Sequence, residues 1–405
     1  MNGASGDRLF TPRFFVMCAF SFTVFLSALQ LLPTAPFHIH DLGGSTAAAG
    51  LFLGLLTFSS AFSAPITGAL ADRFGRTRQL LVCSIAIAGF SMLYAIAPTV
   101  PLLLVLVPLH GIVWSGLLSA SAAYMTSILP PSRRAEGIGY WGLSSVIALA
   151  VAPPIGFWVY QFGWLWLCMF AALLNLVMAA IAWQLHETPR PAVRATYEHD
   201  PRGWVEWRVL LLSLPLFLYS YAYGAITSFS AMYADSLGIT PKSVYLTALA
   251  AVILVTRPIF GPLGDRFGYR RVFAPCLVLI TAGLVLLALA TTRSGLILSA
   301  IVFGTGFGTA YPVFAAYVTH GVREDRRGAA FGAILAAFDT GIGTGSSSLG
   351  WLVANFGYGT AFGVAAALSA LALPAFFFAD RQVALHPAPR ASTSGVPAER
   401  PSPTT

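Results

Sequence analysis

The chain has 405 residues and a net charge of +8, and 57% of its residues are apolar while only 9% are charged. A soluble globular domain carries about 25% charged residues, so this composition excludes a water-facing surface and predicts a chain embedded in lipid. The four cysteines stand singly within apolar runs, which favours buried small side chains over disulfides or metal ligands.

Apolar runs of about 20 residues, the length that crosses a bilayer core, occur twelve times. They are numbered here as spans 1 to 12 and cover residues 14–33, 46–70, 78–97, 101–128, 137–160, 164–185, 209–232, 243–263, 272–291, 295–319, 328–352 and 358–379. No alternating strand pattern is present, so each span is expected to be a helix. The first run resembles a signal peptide but lacks a clear cleavage site, and we expect it to remain as a helix. The predicted fold class is all-α membrane with twelve transmembrane helices.

The two halves of the chain repeat each other. Residues 64–78 read APITGALADRFGRTR and residues 257–271 read RPIFGPLGDRFGYRR, 193 positions later. A repeat at nearly half the chain length predicts two copies of one unit. The expected organisation is a cytoplasmic N-terminus (1–13), a six-helix bundle (14–185), a cytoplasmic linker (186–207), a second six-helix bundle (208–380) and a disordered tail (381–405).

The basic residues fall almost entirely on one side of the predicted spans. Of the 23, only Lys242 and Arg293 lie on the opposite side, and Arg257 lies within span 8. The positive-inside rule therefore predicts that both termini are cytoplasmic. The expected location is the inner membrane of a bacterial type of cell. This placement argues against a nucleic-acid partner, despite the net charge.

The loop after span 2 carries a charged, glycine-rich motif that recurs after span 8. The motif residues are Gly68, Asp72, Arg73, Gly75 and Arg76, and then Gly261, Asp265, Arg266 and Gly268, with Tyr269 replacing the last arginine. The pattern G-x-x-x-D-R-x-G-R in two repeated halves resembles the major facilitator superfamily over residues 10–380. The resemblance implies a secondary transporter that works by alternating access, with these loops as a cytoplasmic latch. The glycines would allow close helix approach and the aspartates could pair with the arginines; a solvated turn that only sets topology is the alternative.

Span 5 contains Gly142, Ala152, Pro153 and Gly156. This segment resembles the G-P-x-x-G motif of proton antiporters that export drugs or sugars, although Ala152 replaces the first glycine. The resemblance implies efflux. The alternative is ordinary close packing of a kinked helix, and an importer or facilitator of a small metabolite stays open as the second function.

Charged residues within spans are the candidates for proton coupling. Asp339 in span 11 is the one acid of the 15 that lies inside a span, and Arg257 is the one basic residue. Such charges are costly in a membrane and are functional hypotheses by default. Span 4 has Val107 where many proton-coupled relatives carry arginine, but His110 nearby can titrate. A permanent Asp339–Arg257 salt bridge and a merely hydrogen-bonded His110 are the alternatives.

The resemblance places a substrate cavity between the halves, lined by spans 1, 4, 7 and 10. The candidate lining residues are Gln30, Trp114, Tyr124, Tyr219, Tyr223 and Tyr311. Aromatic residues with few charges suit a neutral, cationic or amphipathic solute better than a polyanion, although some of them could instead anchor the membrane interface.

Nothing in the sequence indicates an enzyme. There is no P-loop, H-E-x-x-H or G-x-S-x-G motif, and the pair His38 and His40 with Asp41 offers too few ligands for a metal site. We expect no cofactor and no metal. The expected partners are a small-molecule substrate, protons and the lipid bilayer, with the chain acting as a monomer.

Overall fold

The computed structural model describes residues 8–187, 207–260, 263–320 and 327–385. We call residues 8–187 the N-half and the later ranges the C-half. Most of the expected linker and tail, residues 1–7 and Gly261 lie outside the described residues, and so do the side chains of Asp72 and Asp265.

All regular structure in these ranges is helical. The N-half contains α1 (Pro12–Leu31), α2 (Ala35–Asp41), α3 (Thr46–Phe74), α4 (Arg76–Ile96), α5 (Val100–Ile128), a 3-10 turn (Pro131–Arg133), α6 (Arg134–Tyr160) and α7 (Trp164–Gln184). The C-half contains α8 (Trp207–Leu212), α9 (Leu214–Ser236), α10 (Val244–Phe260), α11 (Leu263–Phe267), α12 (Tyr269–Leu289), α13 (Arg293–His320), α14 (Arg327–Ala370) and α15 (Ala372–Leu385).

Nine helical stretches of the described ranges are long and apolar enough to cross a membrane, and α10 is a shorter apolar helix. A helix satisfies its own backbone hydrogen bonds, which the bilayer core requires. The first span begins with a regular cap, because the Thr11 hydroxyl accepts a hydrogen bond from the Phe14 N–H at 3.3 Å and Pro12 occupies the first turn. The expectation of an all-helical membrane chain is confirmed.

The turns of the two halves repeat each other. Among the described residues, positive φ angles occur at six glycines, which form three pairs at repeat-equivalent positions: Gly43 and Gly238, Gly75 and Gly268, and Gly163 and Gly357. Residues that carry a Cβ atom rarely adopt positive φ angles. The repeat therefore preserves glycine at the positions where the turns need it. Gly357, with φ 80° and ψ 170°, interrupts α14 where Gly163 separates α6 from α7.

The halves meet through α3 and α14, and through α6 and α10. On α3, Gly50 and Gly54 approach Gly343 and Gly350 of α14 so closely that a Cβ atom at any of the four would collide with backbone or side-chain atoms of the facing helix. We call these four glycines the glycine seam. Small residues let membrane helices pack backbone to backbone, and Ser346 adds a hydrogen bond from its Oγ to the Gly50 carbonyl at 2.8 Å.

A second contact joins the halves at this end of the molecule, the seam end. Lys242 pairs with Asp235 at 2.8 Å within the C-half, and its ammonium lies 4.5 Å from the ring centroid of Phe37 in the N-half. A cation above an aromatic face is attracted to it. The seam end is therefore closed by both close packing and a cation–π contact.

The other end, the arginine end, carries Arg76, Arg133 and Arg270. Here Gly68 on α3 and Gly332 on α14 have no described atom within 4 Å of an added Cβ, and neither do Gly139 and Gly142 on α6. The expected close approach of a neighbouring helix at Gly68 is therefore not found in this conformation. The same pair of helices is in contact at one end of the molecule and has open space around its glycines at the other.

Candidate functional site

A cavity of about 370 Å³ lies between the two halves. This volume is within the range of small-molecule sites, about 300–1,000 Å³. The N-half contributes α1, α3, α5 and α6, and the C-half contributes α9, α10, α13 and α14. Its polar and charged lining residues are Thr57, His110, Ser145, Tyr223, Thr227, Arg257, Tyr311 and Asp339. The remaining lining side chains are apolar, so the described wall holds one acid and one arginine.

Asp339 on α14 faces this cavity and is half-buried. It accepts a hydrogen bond from the Ser60 hydroxyl, with 3.4 Å between Oγ and Oδ2. Ser60 lies on α3, so this long hydrogen bond joins the halves just beyond the glycine seam. No other described residue donates to the Asp339 carboxyl, which leaves most of its hydrogen-bonding capacity open to the cavity.

Arg257 lies in the last turn of α10 and also lines the cavity. Its guanidinium makes no ion pair and no hydrogen bond with any described residue, and this includes Asp339. The permanent salt bridge that the sequence left as an alternative is therefore absent from this conformation. Tyr311, on α13, also lines the cavity and lies within electrostatic range of both charged side chains.

Four aromatic rings of the C-half form one side of the cavity. We call Tyr223, Phe307, Tyr311 and Phe338 the aromatic wall. Tyr223 and Phe307 are stacked, with centroids 4.5 Å apart and an interplanar angle of 17°, and Phe338 lies 5.3 Å from Tyr311 and 6.4 Å from Phe307. On the N-half side, Phe25 meets Trp114 edge to face at 6.0 Å. The sequence did not single out Phe307 or Phe338, although Phe338 directly precedes Asp339.

The predicted cavity residues divide into two groups. Trp114, Tyr223 and Tyr311 line the cavity. Tyr219 lies behind the wall, with Phe273 and Phe307 around its ring, and Tyr124 lies at the arginine end, where its hydroxyl donates to the His186 carbonyl at 3.2 Å.

Gln30, the sixth candidate, is fully buried and does not line the cavity. Gly156 of α6 packs directly onto the Cα and Cβ atoms of Gln30. No described group bonds to the side-chain amide of Gln30. The glycine of the predicted antiporter motif therefore serves close packing between α1 and α6.

The other members of that segment have different surroundings. Ala152 and Pro153 are buried, whereas Gly142 faces open space at the arginine end. These contacts fit the packing alternative, and a bearing on the direction of transport stays a prediction.

His110 is buried at the edge of the cavity. The hydroxyl of Tyr94 lies 3.0 Å from its Nδ1 atom, and the ring of Phe90 stacks on its imidazole at 5.5 Å. These contacts fit the alternative of a histidine held by a hydrogen bond, and its part in proton coupling stays a prediction.

The latch loops are joined to the last helix of their own half. Glu187, just after α7, accepts hydrogen bonds from the backbone N–H groups of Arg76 and Thr77 at 2.9 and 3.1 Å, and also from the Thr77 hydroxyl. A carboxylate at the start of a helix is favoured by the helix dipole. The side chain of Arg73 is exposed, with its guanidinium 5.7 Å from the centroid of the Phe74 ring.

The C-half repeats this arrangement with different chemistry. Asp380, 193 positions after Glu187, is buried and pairs with Arg270, the equivalent of Thr77. The Tyr317 hydroxyl, equivalent to that of Tyr124, donates to the other oxygen of Asp380. We call these two arrangements the acidic clasps; neither pairing was predicted from the sequence.

No group of three or more potential metal ligands occurs in the part of the chain that the structure describes. His38 stacks on Trp164 with ring centroids 4.2 Å apart, and His40 is exposed.

Comparison with known proteins agrees with this architecture. The model of the Major Facilitator Superfamily matches residues 14–254 and 212–403. The uncharacterized MFS-type transporter YhhS of Escherichia coli strain K12 is 26% identical over 364 residues, which is 87% of this chain and 89% of that protein.

Solved structures show the same fold at low sequence identity. A bacterial homologue of the human lysosomal transporter Spinster, inward-facing and occupied, superposes with a TM-score of 0.79 at 16% identity over 94% of this chain and 98% of that one. The nucleoside transporter NupG gives a TM-score of 0.69 at 16% identity over 92% of this chain and 100% of that one. The chain belongs to the major facilitator superfamily, whose members are membrane transporters and not enzymes.

Proposed function

We propose that this protein is a proton-coupled secondary transporter that moves small organic solutes across the bacterial inner membrane by alternating access. The observation that carries the proposal is Asp339, the acid within the spans, which faces the cavity between the halves and bonds to Ser60 across their interface. Intramembrane acids in such positions serve as proton relays. A proton on this carboxyl changes both the charge of the cavity and a contact between the halves.

The contacts between the halves support alternating access. The glycine seam closes one end, and open space surrounds Gly68 and Gly332 at the other. Rocking of one half against the other around a fixed central site would exchange these two arrangements. The acidic clasps support such rocking, because each holds the latch loop to its own half.

Twelve spans with both termini in the cytoplasm complete the proposed topology. The nine stretches that are long and apolar enough become twelve when α9 and α10 are added and the last stretch is divided at Gly357. The bias of the arginines puts the arginine end in the cytoplasm, so this conformation would be open to the cytoplasm. Residues 14–185 and 208–380 would be the two six-helix bundles, within a chain that acts as a monomer.

For the direction of transport we propose efflux of drug-like or sugar-like solutes in exchange for protons. The support is the resemblance of span 5 to the segment of exporting antiporters. Import, or facilitated passage, of a small metabolite is the second candidate. Arg257 favours it, because this cation lines the cavity without a partner among the described residues and suits an anionic solute that enters together with a proton.

Transport into proteoliposomes tests the proposal. A solute that raises the thermal stability of the purified protein serves as the substrate, since a bound ligand stabilises the folded state by mass action. Asp339→Asn should abolish accumulation driven by a pH gradient while leaving exchange of labelled for unlabelled solute intact. Glu136→Gln, which removes an exposed carboxyl paired with Arg133 at 2.8 Å outside the cavity, is the control and should retain both activities. Gradient-driven accumulation by Asp339→Asn at the wild-type rate would refute the proposal, and right-side-out versus inverted vesicles would decide the direction.

A further inference from the structure

Arg257 is the residue of the cavity that the proposed proton relay leaves unexplained. A guanidinium presents five N–H donors in a planar fork, and none of them meets an acceptor among the described residues. Placing such a charge within a membrane helix costs free energy, so an intramembrane arginine normally pairs with an acid or faces a functional cavity. Among the described residues Arg257 therefore has no partner, and its guanidinium is available to a group that enters the cavity.

The repeat shows that the fold does not require this charge. The position equivalent to Arg257 in the N-half is Ala64, 193 positions earlier. The position equivalent to Asp339 is Val146 or Ser145, because the offset of the repeat grows from 193 at the latch loops to 194 at Gly163 and Gly357. The same helical framework is therefore built without either charge. Only the C-half places an acid and an arginine on the cavity, which points to a role in binding rather than in packing.

The aromatic wall lies on the same side of the cavity as Arg257. Tyr223 and Phe307 are nearly parallel at 4.5 Å, and Phe338 is also close to parallel with Tyr223, at 6.3 Å and 26°. Aromatic side chains that line a cavity pack favourably against a planar ligand. The cavity therefore offers an aromatic lining together with one cation that has no partner among the described residues.

We propose that the cavity binds an organic monoanion, a carboxylate carried on a planar apolar body, with its carboxylate on Arg257 and its body against the aromatic wall. The proposal rests on the transport function above and names its substrate class. Arginine and carboxylate match as a bidentate pair. A polyanion is disfavoured, because no second cation lines the described cavity and Asp339 shares it. The sequence favoured a neutral, cationic or amphipathic solute over a polyanion, and a carboxylate on an apolar body is amphipathic, so the proposal narrows that expectation.

The charge of Asp339 then controls binding of the anion. The described titratable groups on the cavity wall are His110, Tyr223, Arg257, Tyr311 and Asp339, and Asp339 is the one whose loss of a proton places a negative charge beside Arg257. A negative Asp339 repels the anion, so the anion and a proton on Asp339 favour each other's binding, and this linkage is reciprocal. Two ligands that bind together move in the same direction, so a substrate of this class would enter with a proton, as in the second candidate, import. It would exclude the exchange for protons that is proposed first.

Calorimetry on the purified protein in detergent tests the substrate class without requiring transport. The probes share one ring system and differ in charge: 2-naphthoate, neutral 2-naphthamide and cationic 2-naphthylmethylammonium. At pH 6 we expect 2-naphthoate to bind about tenfold more tightly than 2-naphthamide, the discrimination that a charge-assisted pair provides. Weaker binding of 2-naphthoate than of the ammonium, or equal or undetectable binding of all three probes, would overturn the proposal.

Variants of Arg257 test whether the carboxylate of 2-naphthoate binds to this residue. Arg257→Gln should reduce the affinity for 2-naphthoate to that for 2-naphthamide, and unchanged binding of 2-naphthamide would show that the site is intact. Arg257→Lys should restore part of the difference. Arg293→Gln, which removes an exposed arginine at the start of α13 and outside the cavity, should bind all three probes as the wild type does. An Arg257→Gln protein that still prefers 2-naphthoate tenfold would overturn the assignment; should that variant not fold, the wild-type comparison of the three probes decides.

The pH dependence of the affinity for 2-naphthoate tests the role of Asp339 independently. Wild-type affinity for 2-naphthoate should fall about tenfold between pH 6 and pH 8, whereas Asp339→Asn should bind it equally at both. Equal affinity at both pH values in the wild type would refute the linkage. If the protein transports another solute under a pH gradient but does not bind 2-naphthoate more tightly than the neutral and cationic probes, the assignment as a transporter stands and the proposed substrate class is refuted.

Discussion

Ser60 donates a hydrogen bond to Asp339 across the interface between the halves, with 3.4 Å between Oγ and Oδ2. The two residues belong to α3 and α14, whose glycines close the seam end. An ionised carboxylate is a stronger acceptor than its protonated form. The charge state of Asp339 therefore acts directly on a contact that holds the seam end closed.

Ser60→Ala should open the seam end. The hydrogen bond is long, so its removal is expected to cost about 1 kcal/mol, which is a shift of about fivefold in the ratio of closed to open molecules. Spin labels at Gln161 and Asn355, both exposed at the seam end, would report this ratio by double electron–electron resonance. Ser63→Ala is the matched control, because Ser63 lies on the same helix and bonds to the Ser60 carbonyl at 3.2 Å and not to Asp339. A shift of equal size in both variants would contradict the assignment.

Gly54→Val should prevent closure of the seam while leaving the protein folded. A Cβ at Gly54 would collide with the Ser347 hydroxyl and crowd the Gly343 carbonyl, so molecules would accumulate with the arginine end closed and transport would stop. The same label pair should show mainly the longer distance. Gly89→Val on α4, where an added Cβ meets no described atom within 4 Å, should behave like the wild type. A Gly54→Val protein with the wild-type distance distribution would show that the seam does not limit closure.

Asp380→Asn should destabilise the protein more than Glu187→Gln does. Asp380 is buried and bonds to two side chains, Arg270 and Tyr317, and removal of its charge is expected to cost about 1–3 kcal/mol of unfolding free energy. Glu187 is exposed, so water can replace it at the start of α4. Thermal unfolding in detergent would rank the two variants, and a larger loss for Glu187→Gln would contradict the comparison of the two clasps.

Tyr223→Leu should weaken substrate binding by about threefold to tenfold, because the aromatic stacking that it removes is worth about 0.5–1.5 kcal/mol. Tyr219→Phe should leave binding unchanged, because its ring lies behind the wall and its hydroxyl has no described partner. Calorimetric titration with the solute identified by thermal stabilisation provides the measurement. Equal effects of the two changes would mean that the wall is not the binding surface.

The sequence predicted the features that composition and covalent geometry determine. Hydropathy located the helices, and the repeat located the turns, since Gly75 and Gly268 each occupy a backbone angle that glycine alone adopts easily. Asp339 emerged by exclusion, because every other acid falls at the end of a span or outside it.

The partners of these residues could not be predicted. Spans that are apolar on all sides carry little information about which face meets another helix, so Tyr219 and Tyr223 could not be separated by periodicity alone. Ser60 is 279 positions from Asp339, and only the packing of α3 on α14 brings the two together. Phe307 was indistinguishable from other apolar residues of its span. Gln30 was expected in the cavity because span 1 lines it in the family that the chain resembles, and the packing of Gly156 onto Gln30 could not be foreseen.

Distances at both ends of the molecule provide the most direct test of the central claim, that protonation of Asp339 is coupled to alternating access. On a background without Cys18, Cys83, Cys168 and Cys276, one spin-label pair at Gln161 and Asn355 reports the seam end and a second at Gln184 and Arg381 reports the arginine end. Between pH 8 and pH 5 we expect the two distances to change in opposite senses in the wild type, and we expect Asp339→Asn to abolish this response. Distances that do not change with pH in the wild type, or a response that persists in Asp339→Asn, would contradict this claim.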